Sequence, residues 1–83
     1  MNHRERIGKR IAEIRKKRGL TILQVHEMTG LDNSNIGKIE KGKYNVGIDV
    51  LQRICEALNV EIAFIDKELN NELNKNYDYD TRR

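Results

Sequence analysis

The sequence predicts an all-α fold, a small bundle of four helices with a short strand after the last helix. Apolar residues recur at spacings of three and four in separate segments, which is the period of an amphipathic helix. Glycines and capping residues stand at the ends of these segments. The 83 residues include no proline and 35% of them are charged, a composition that suits helices. We expect one domain over residues 1–65 and an asparagine-rich tail, partly helical or disordered, over residues 66–83.

The first helix is predicted to run from about residue 3 to Arg18. Ile7, Ile11 and Ile14 repeat at spacings of four and three, so they form one apolar stripe. Gly19 then supplies a residue that commonly ends a helix.

Positive charge is concentrated in this first helix. The net charge of the chain is +3, but residues 1–19 hold eight Lys or Arg against two Glu. This surplus fits a polyanionic partner. The run from Arg15 to Arg18 also complements the negative end of its own helix dipole, and both interpretations stay open.

The next segment reads as two short helices joined by a tight turn. Thr21 is a good N-cap, and Gln24 three residues later completes a capping-box pattern. Val25 and Met28 give the first of the two helices an apolar edge. Gly30 follows it and tolerates the positive φ that such a turn often needs.

The second of these helices has only a narrow apolar stripe. Asp32 is its predicted N-cap, and Leu31, Ile36 and Ile39 supply its apolar contacts. Its remaining side chains are short, hydrogen-bonding or basic, and they are Asn33, Ser34, Asn35, Gly37, Lys38 and Lys41.

A fourth helix is predicted from about residue 48 to Asn59. Its apolar stripe consists of Ile48, Leu51, Ile54, Cys55 and Leu58. Cys55 is the only cysteine, so it cannot form an internal disulfide, and its place in the stripe predicts a core residue. One cysteine and two distant histidines give no metal-site spacing, so we expect no metal and no cofactor.

Residues 60–65 lack the helical spacing of apolar residues that the preceding segments show. Val60, Ile62 and Phe64 alternate with other residues, which favours a strand over a helix. A lone strand leaves its backbone groups unpaired, so we expect it to pair with the same strand of a second copy. The competing interpretation is that residues 61–65 form a fifth helix.

Together these residues resemble the Cro/CI-type, lambda-repressor-like helix-turn-helix proteins of the XRE family, over about residues 4 to 60. The matching residues are Leu20-Thr21, Val25, Gly30-Leu31, Ile36, Ile39-Glu40 and Gly42. Four positions depart from the usual family pattern. Ile22 stands where the family usually has Gln, and His26 stands where it usually has Ala. Thr29 replaces an apolar residue, and Gly37 replaces Ser.

The resemblance implies a DNA-binding transcriptional regulator, a repressor that binds a palindromic operator as a homodimer. By match to the family's reader positions, the expected base contacts are Asn33, Ser34, Asn35 and Lys38. Helix N-termini and loop cations suit phosphates, and the expected phosphate contacts are Thr21, Gln24, Lys41, Lys43, Tyr44 and Asn45. By the same resemblance Arg15 pairs with Glu40. From the alternating pattern of residues 60–65 we expect the dimer to form through Val60, Ile62 and Phe64.

An alternative function comes from the extension at residues 60–65, which resembles that of HipB-type antitoxins. Such a protein holds a cognate toxin and also represses its own operon. An enzyme is not expected, because the sequence offers no nucleophile with a nearby base and no glycine-rich phosphate loop after a strand. No apolar stretch approaches the roughly 18 residues of a membrane span, so we expect a cytoplasmic protein.

Overall fold

The computed structural model describes residues 1–68, which form four α-helices. These are α1 (His3–Lys17), α2 (Ile22–Thr29), α3 (Asn33–Glu40) and α4 (Ile48–Leu58). No residue in the range 1–68 lies in a strand, so the predicted all-α class is confirmed. Within the same range, no helix is both long enough and apolar enough to cross a membrane. Residues 69–83 of the predicted tail lie outside the described part of the chain.

Two of the four helices, α1 and α2, start with a side-chain capping box, whereas α3 and α4 start without a side-chain cap hydrogen bond. Thr21 and Gln24 form the predicted capping box at α2, with each backbone amide bonded to the other residue's side chain. Asp32 occupies the N-cap position of α3 but makes no side-chain cap hydrogen bond. Its carboxylate instead accepts a hydrogen bond from the Ser34 hydroxyl. Asp32 thus stands at the predicted N-cap position, and the Ser34 hydroxyl, followed by the backbone amides of Asn35 and Ser34, lowers the pKa of its carboxyl.

The core lies where the four helices meet. Its buried apolar side chains are Ile11, Val25, Ile36, Ile39, Ile54, Cys55 and Leu58. Cys55 is buried as predicted, but Met28 is 54% exposed. The inward stripe of α2 runs through Ile22 and Val25 at helical spacing, so Met28 lies on the flank of that helix.

Two glycines let α1 approach the end of α3. A Cβ on Gly8 would lie 2.2 Å from the carbonyl oxygen of Ile39. Gly42 has a φ of 74°, and a Cβ there would lie 2.6 Å from the Cα of Glu5. No other residue fits at either place, so α3 ends directly against the backbone of α1.

Residues 60–66 form neither a strand nor a helix in this single chain. The predicted strand at residues 60–65 is absent, and so is the competing fifth helix at residues 61–65. The strand is absent because a strand needs a second segment for its backbone hydrogen bonds. The described part of the chain contains no such segment. Ile62 and Phe64 remain exposed in this arrangement.

Candidate nucleic-acid interface

Helix α3 has one buried face and one exposed face. Ile36 and Ile39 point into the core, and Asn33, Ser34 and Lys38 are exposed. The fourth predicted base-contact residue, Asn35, is half-buried at the border between the two faces. The structure therefore places three of the four on a single solvent-facing surface.

The exposed side chains of α3 differ in their free hydrogen-bonding groups. The Ser34 hydroxyl donates to Asp32, and this bond lowers the pKa of the Asp32 carboxyl. Ser34 is thus left with acceptor lone pairs only. Asn33 and Lys38 make no side-chain hydrogen bond within residues 1–68, so their donors are available to a ligand.

The start of α2 offers a second set of donors. The side-chain oxygen of Gln24 accepts from the Thr21 amide at 2.8 Å. Because the capping box uses this oxygen, the Gln24 NH₂ group stays unbonded within the described part of the chain. Thr21 and Gln24 are both exposed, so a free amide donor and a helix N-terminus lie at one place.

The loop after α3 carries the other predicted phosphate contacts. The Gly42 amide donates to the Ile39 carbonyl at 3.0 Å, and the Lys43 amide donates to the Lys38 carbonyl at 2.9 Å. This pair of bonds is a Schellman motif, which fixes the loop against the end of α3. The side chains that it holds in solvent are Lys41, Lys43, Tyr44 and Asn45.

A bidentate ion pair fastens α3 to α1. The Nε of Arg15 lies 2.6 Å from Oε2 of Glu40, and its Nη2 lies 2.9 Å from Oε1. The side chains are only 10% and 8% exposed, and the hydrogen bond to Glu40 raises the pKa of Arg15. The Nη1 of Arg15 also donates to the Leu20 carbonyl at 2.8 Å. One side chain thus connects α1, the entry to α2 and the end of α3.

The turn between α2 and α3 is held by two residues that depart from the family pattern. The Nδ1–H of His26 donates to the Leu31 carbonyl at 2.5 Å. The Thr29 hydroxyl donates to the Val25 carbonyl at 2.7 Å and accepts from the Leu31 amide at 3.1 Å. Sequence reasoning missed these roles, although a polar residue on the inward side of a helix next to a turn is a usable signal.

Internal contacts occupy half of the basic run at the end of α1. Arg15 binds Glu40, and the Nε of Arg18 donates to the Leu58 carbonyl at 2.9 Å. Lys16 and Lys17 are exposed and make no ion pair within residues 1–68. These two side chains are available to a polyanion, and the exposed Arg18 also keeps its Nη1 and Nη2 groups unbonded within the same range.

Sequence comparison relates this architecture to known proteins. Residues 11–65 match the family model described as Helix-turn-helix. The chain is 36% identical over 59 residues to the immunity repressor protein of Bacillus phage phi105, which is 71% of this chain and 41% of that protein. It is 34% identical over 56 residues to the HTH-type transcriptional regulator PuuR of Escherichia coli K12, 68% of this chain and 30% of that protein. It is 33% identical over 67 residues to the antitoxin PezA of Streptococcus pneumoniae, 77% of this chain and 42% of that protein.

Two solved structures of other proteins also resemble this chain. The restriction-modification controller protein C.AhdI from Aeromonas hydrophila superposes with a TM-score of 0.67 and 32% identity, covering 69% of this chain and 86% of that one. An HTH_3 family transcriptional regulator from Vibrio cholerae superposes with a TM-score of 0.66 and 28% identity, covering 70% of this chain and 33% of that one. The chain spans less than half the length of each curated relative above.

Proposed function

The chain belongs to the helix-turn-helix family, and from this premise we propose that it is a sequence-specific DNA-binding repressor of transcription. The observation that carries the proposal is α3, a helix with one face locked into the core and the other face lined with free donors. An α-helix fits the major groove, where base pairs present distinct donor and acceptor patterns. The immunity repressor and the transcriptional regulator among the relatives support a regulator rather than an enzyme.

The proposed base contacts follow from the available groups on α3. Asn33 can bond adenine through both its donor and its acceptor, and Lys38 can donate to the acceptors of guanine. Ser34, whose proton is engaged by Asp32, would accept from an exocyclic amine of adenine or cytosine. Asn35 lies at the border of the face and would contact the edge of the site.

The proposed phosphate contacts flank α3 in the chain. Thr21 and Gln24 at the start of α2 would hold one phosphate through the helix N-terminus and the free amide group. The loop after α3 would hold others through Lys41, Lys43, Tyr44 and Asn45. Such contacts set the register of the protein on the duplex and leave the sequence readout to α3.

We propose that the protein acts as a homodimer formed through Val60, Ile62 and Phe64. Phe64 is 93% exposed, although burial of a phenylalanine is strongly favourable. The residues that precede Phe64 in the chain line a mostly apolar groove of about 840 Å³, whose lining also includes Arg6, Lys9, Arg10 and Glu13. Its apolar lining includes Ile11, Ile14, Leu51, Leu58, Val60 and Ile62.

The same segment therefore lines the groove and carries the exposed ring. A surface that holds both a groove and the group to fill it is self-complementary, as a two-fold interface requires. Pairing of residues 60–65 between two copies would satisfy the backbone that is unpaired in one copy. The two α3 helices would then face half-sites about 34 Å apart on a palindromic operator. Since a repressor of transcription must reach the DNA that it regulates, we place the protein in the cytoplasm.

The test is selection of bound duplexes from a random pool with the full chain. We expect a two-fold symmetric consensus whose half-sites lie about one helical turn apart. The Lys38→Ala variant is the matched comparison, and it should lose the preference at one position in each half-site. A pool that stays random after repeated selection would contradict the proposal.

A second candidate function is that of an antitoxin, which holds a toxin and represses its own operon. The relation to antitoxin PezA, which spans 77% of this chain, favours it. Co-expression with the product of the adjacent gene tests it directly. A stable complex together with rescue of growth supports the antitoxin function, and toxicity that persists in the presence of this chain counts against it.

A further inference from the structure

Gly37 is a glycine that the fold does not require. A Cβ at Gly37 would meet nothing within 4 Å, and its backbone is not left-handed. By contrast, Gly8 and Gly42 stand against backbone atoms that a Cβ would strike. Glycine is among the least favourable residues inside a helix, because it loses the most backbone freedom on folding. A glycine without a packing reason, inside a helix of eight residues, therefore indicates an approach from outside.

The position of Gly37 on α3 defines what can approach. Residues three and four apart are neighbours on a helix surface, so the neighbours of Gly37 are Asn33, Ser34, Glu40 and Lys41. The Glu40 carboxylate is held by Arg15, and Lys38 follows Gly37 in the chain. The result is a notch in the otherwise polar surface of α3. Its floor is the Cα of Gly37, since the Gly37 carbonyl already accepts from the Lys41 amide at 3.1 Å.

We propose that Gly37 determines specificity, because its notch accepts the C5 methyl group of a thymine in the major groove. This inference rests on the proposed DNA-binding function. Among the groups on the major-groove edges of the four bases, the thymine methyl is the apolar one that projects outward. A notch with a carbon floor and no unpaired carbonyl matches it. Asn33 and Lys38, with their free donors, would read the polar edges of the neighbouring base pairs.

The experiment begins with the operator obtained by selection with the wild-type chain. Each thymine of the half-site is replaced by deoxyuridine, which removes only the methyl group, and binding is measured by fluorescence anisotropy. For the wild type we expect that removing the methyl group of one thymine weakens binding about fourfold per half-site. This factor corresponds to the free energy of burying one apolar carbon. Equal affinity at every deoxyuridine position overturns the thymine assignment.

The Gly37→Ala variant supplies the protein side of the test. Its Cβ has space in the folded chain, so better helix propensity should raise the Tm by about 4–8 °C. The same Cβ should fill the notch and weaken operator binding at least tenfold, with a smaller loss on the deoxyuridine operator. Gly47→Ala is the matched control, because its Cβ also meets nothing within 4 Å and it lies outside α3. We expect its affinity to stay within about twofold of the wild type.

The outcomes separate this inference from the proposed function. A wild-type chain that enriches no DNA sequence overturns the proposed function and this inference with it. A wild-type chain that enriches an operator, together with a Gly37→Ala variant that binds it equally well, overturns this inference alone. A lower Tm for Gly37→Ala also overturns it, since the fold would then require the glycine. An equal loss of affinity on all sequences would assign Gly37 to the phosphate backbone and overturn the thymine contact.

Discussion

Removing one member of the Arg15–Glu40 pair should cost the folded domain several kcal/mol. Both heavy-atom contacts are short, at 2.6 and 2.9 Å, and both side chains are about nine-tenths buried. Replacing Glu40 by alanine leaves the guanidinium with the Leu20 carbonyl as its remaining partner within residues 1–68. Removing one member of a buried pair costs about 3–5 kcal/mol, because the other charge is stranded. We therefore expect Glu40→Ala to lower the free energy of unfolding by about that amount.

Urea denaturation followed by circular dichroism measures the effect. With a slope of about 1.5 kcal/mol/M, the loss moves the midpoint down by about 2–3 M. Since a domain of this size has a total stability of only about 5–12 kcal/mol, Glu40→Ala risks being partly unfolded in buffer. Glu40→Gln retains a hydrogen-bond acceptor without the charge, and we expect it to cost about 1.5–3 kcal/mol.

Two further variants decide whether the cause is the stranded charge. The double variant Arg15→Met with Glu40→Leu removes both charges. Its loss of unfolding free energy should be much smaller than the sum of the losses measured for Arg15→Met and Glu40→Leu separately. Arg10→Ala breaks an exposed pair with Glu13 at 3.4 Å, whose side chains are 70% and 51% exposed, and it should cost at most about 1 kcal/mol. If Glu40→Ala costs no more than Arg10→Ala, or if the two single losses simply add, the reasoning from burial is wrong.

Four other predictions concern DNA binding, assembly and pH. Lys38→Ala should lose about 1–3 kcal/mol of discrimination at one operator position, and an equal loss on every sequence would make Lys38 a phosphate contact. Operator affinity should fall steeply with salt, with a log–log slope of about −0.9 per neutralised phosphate; a flat dependence would refute the phosphate contacts. Phe64→Asp should sediment as a monomer and bind the operator weakly, so a variant that stays dimeric would exclude Phe64 from the interface. Ser34→Ala should raise the pKa of Asp32, which NMR titration measures, because the Ser34 hydroxyl lowers it now. Because folding lowers the pKa of Asp32, the ionised carboxyl contributes to stability near neutral pH, and this contribution is lost as the pH falls through that pKa. An unchanged Asp32 pKa in Ser34→Ala would assign the shift to another cause.

The helices were predictable because their signals are local. Capping boxes and apolar stripes act between residues three and four apart, so Thr21 with Gln24 and the isoleucines of α1 located their helices within about a residue of the observed bounds. The exposed face of α3 was predictable for the same reason, since Ile36 and Ile39 leave the side chains between them outside. The prediction that Met28 lies on the apolar edge of α2 was wrong. A helix of eight residues has a narrow inward stripe, and residue spacing alone did not show which way that stripe faces.

By itself, then, the sequence determined the order and lengths of the helices, the turn at Gly30 and the polar, solvent-facing surface of α3. Only the tertiary structure decided which distant groups meet. It brought the Arg15 guanidinium to a carboxylate 25 positions away and the Arg18 guanidinium to a carbonyl 40 positions away. It also required glycine at Gly8, where the backbone of α3 arrives, and among residues 1–68 it gave residues 60–65 no strand partner. Such contacts depend on how whole helices pack, whereas a pattern along one helix records only which of its own faces is apolar.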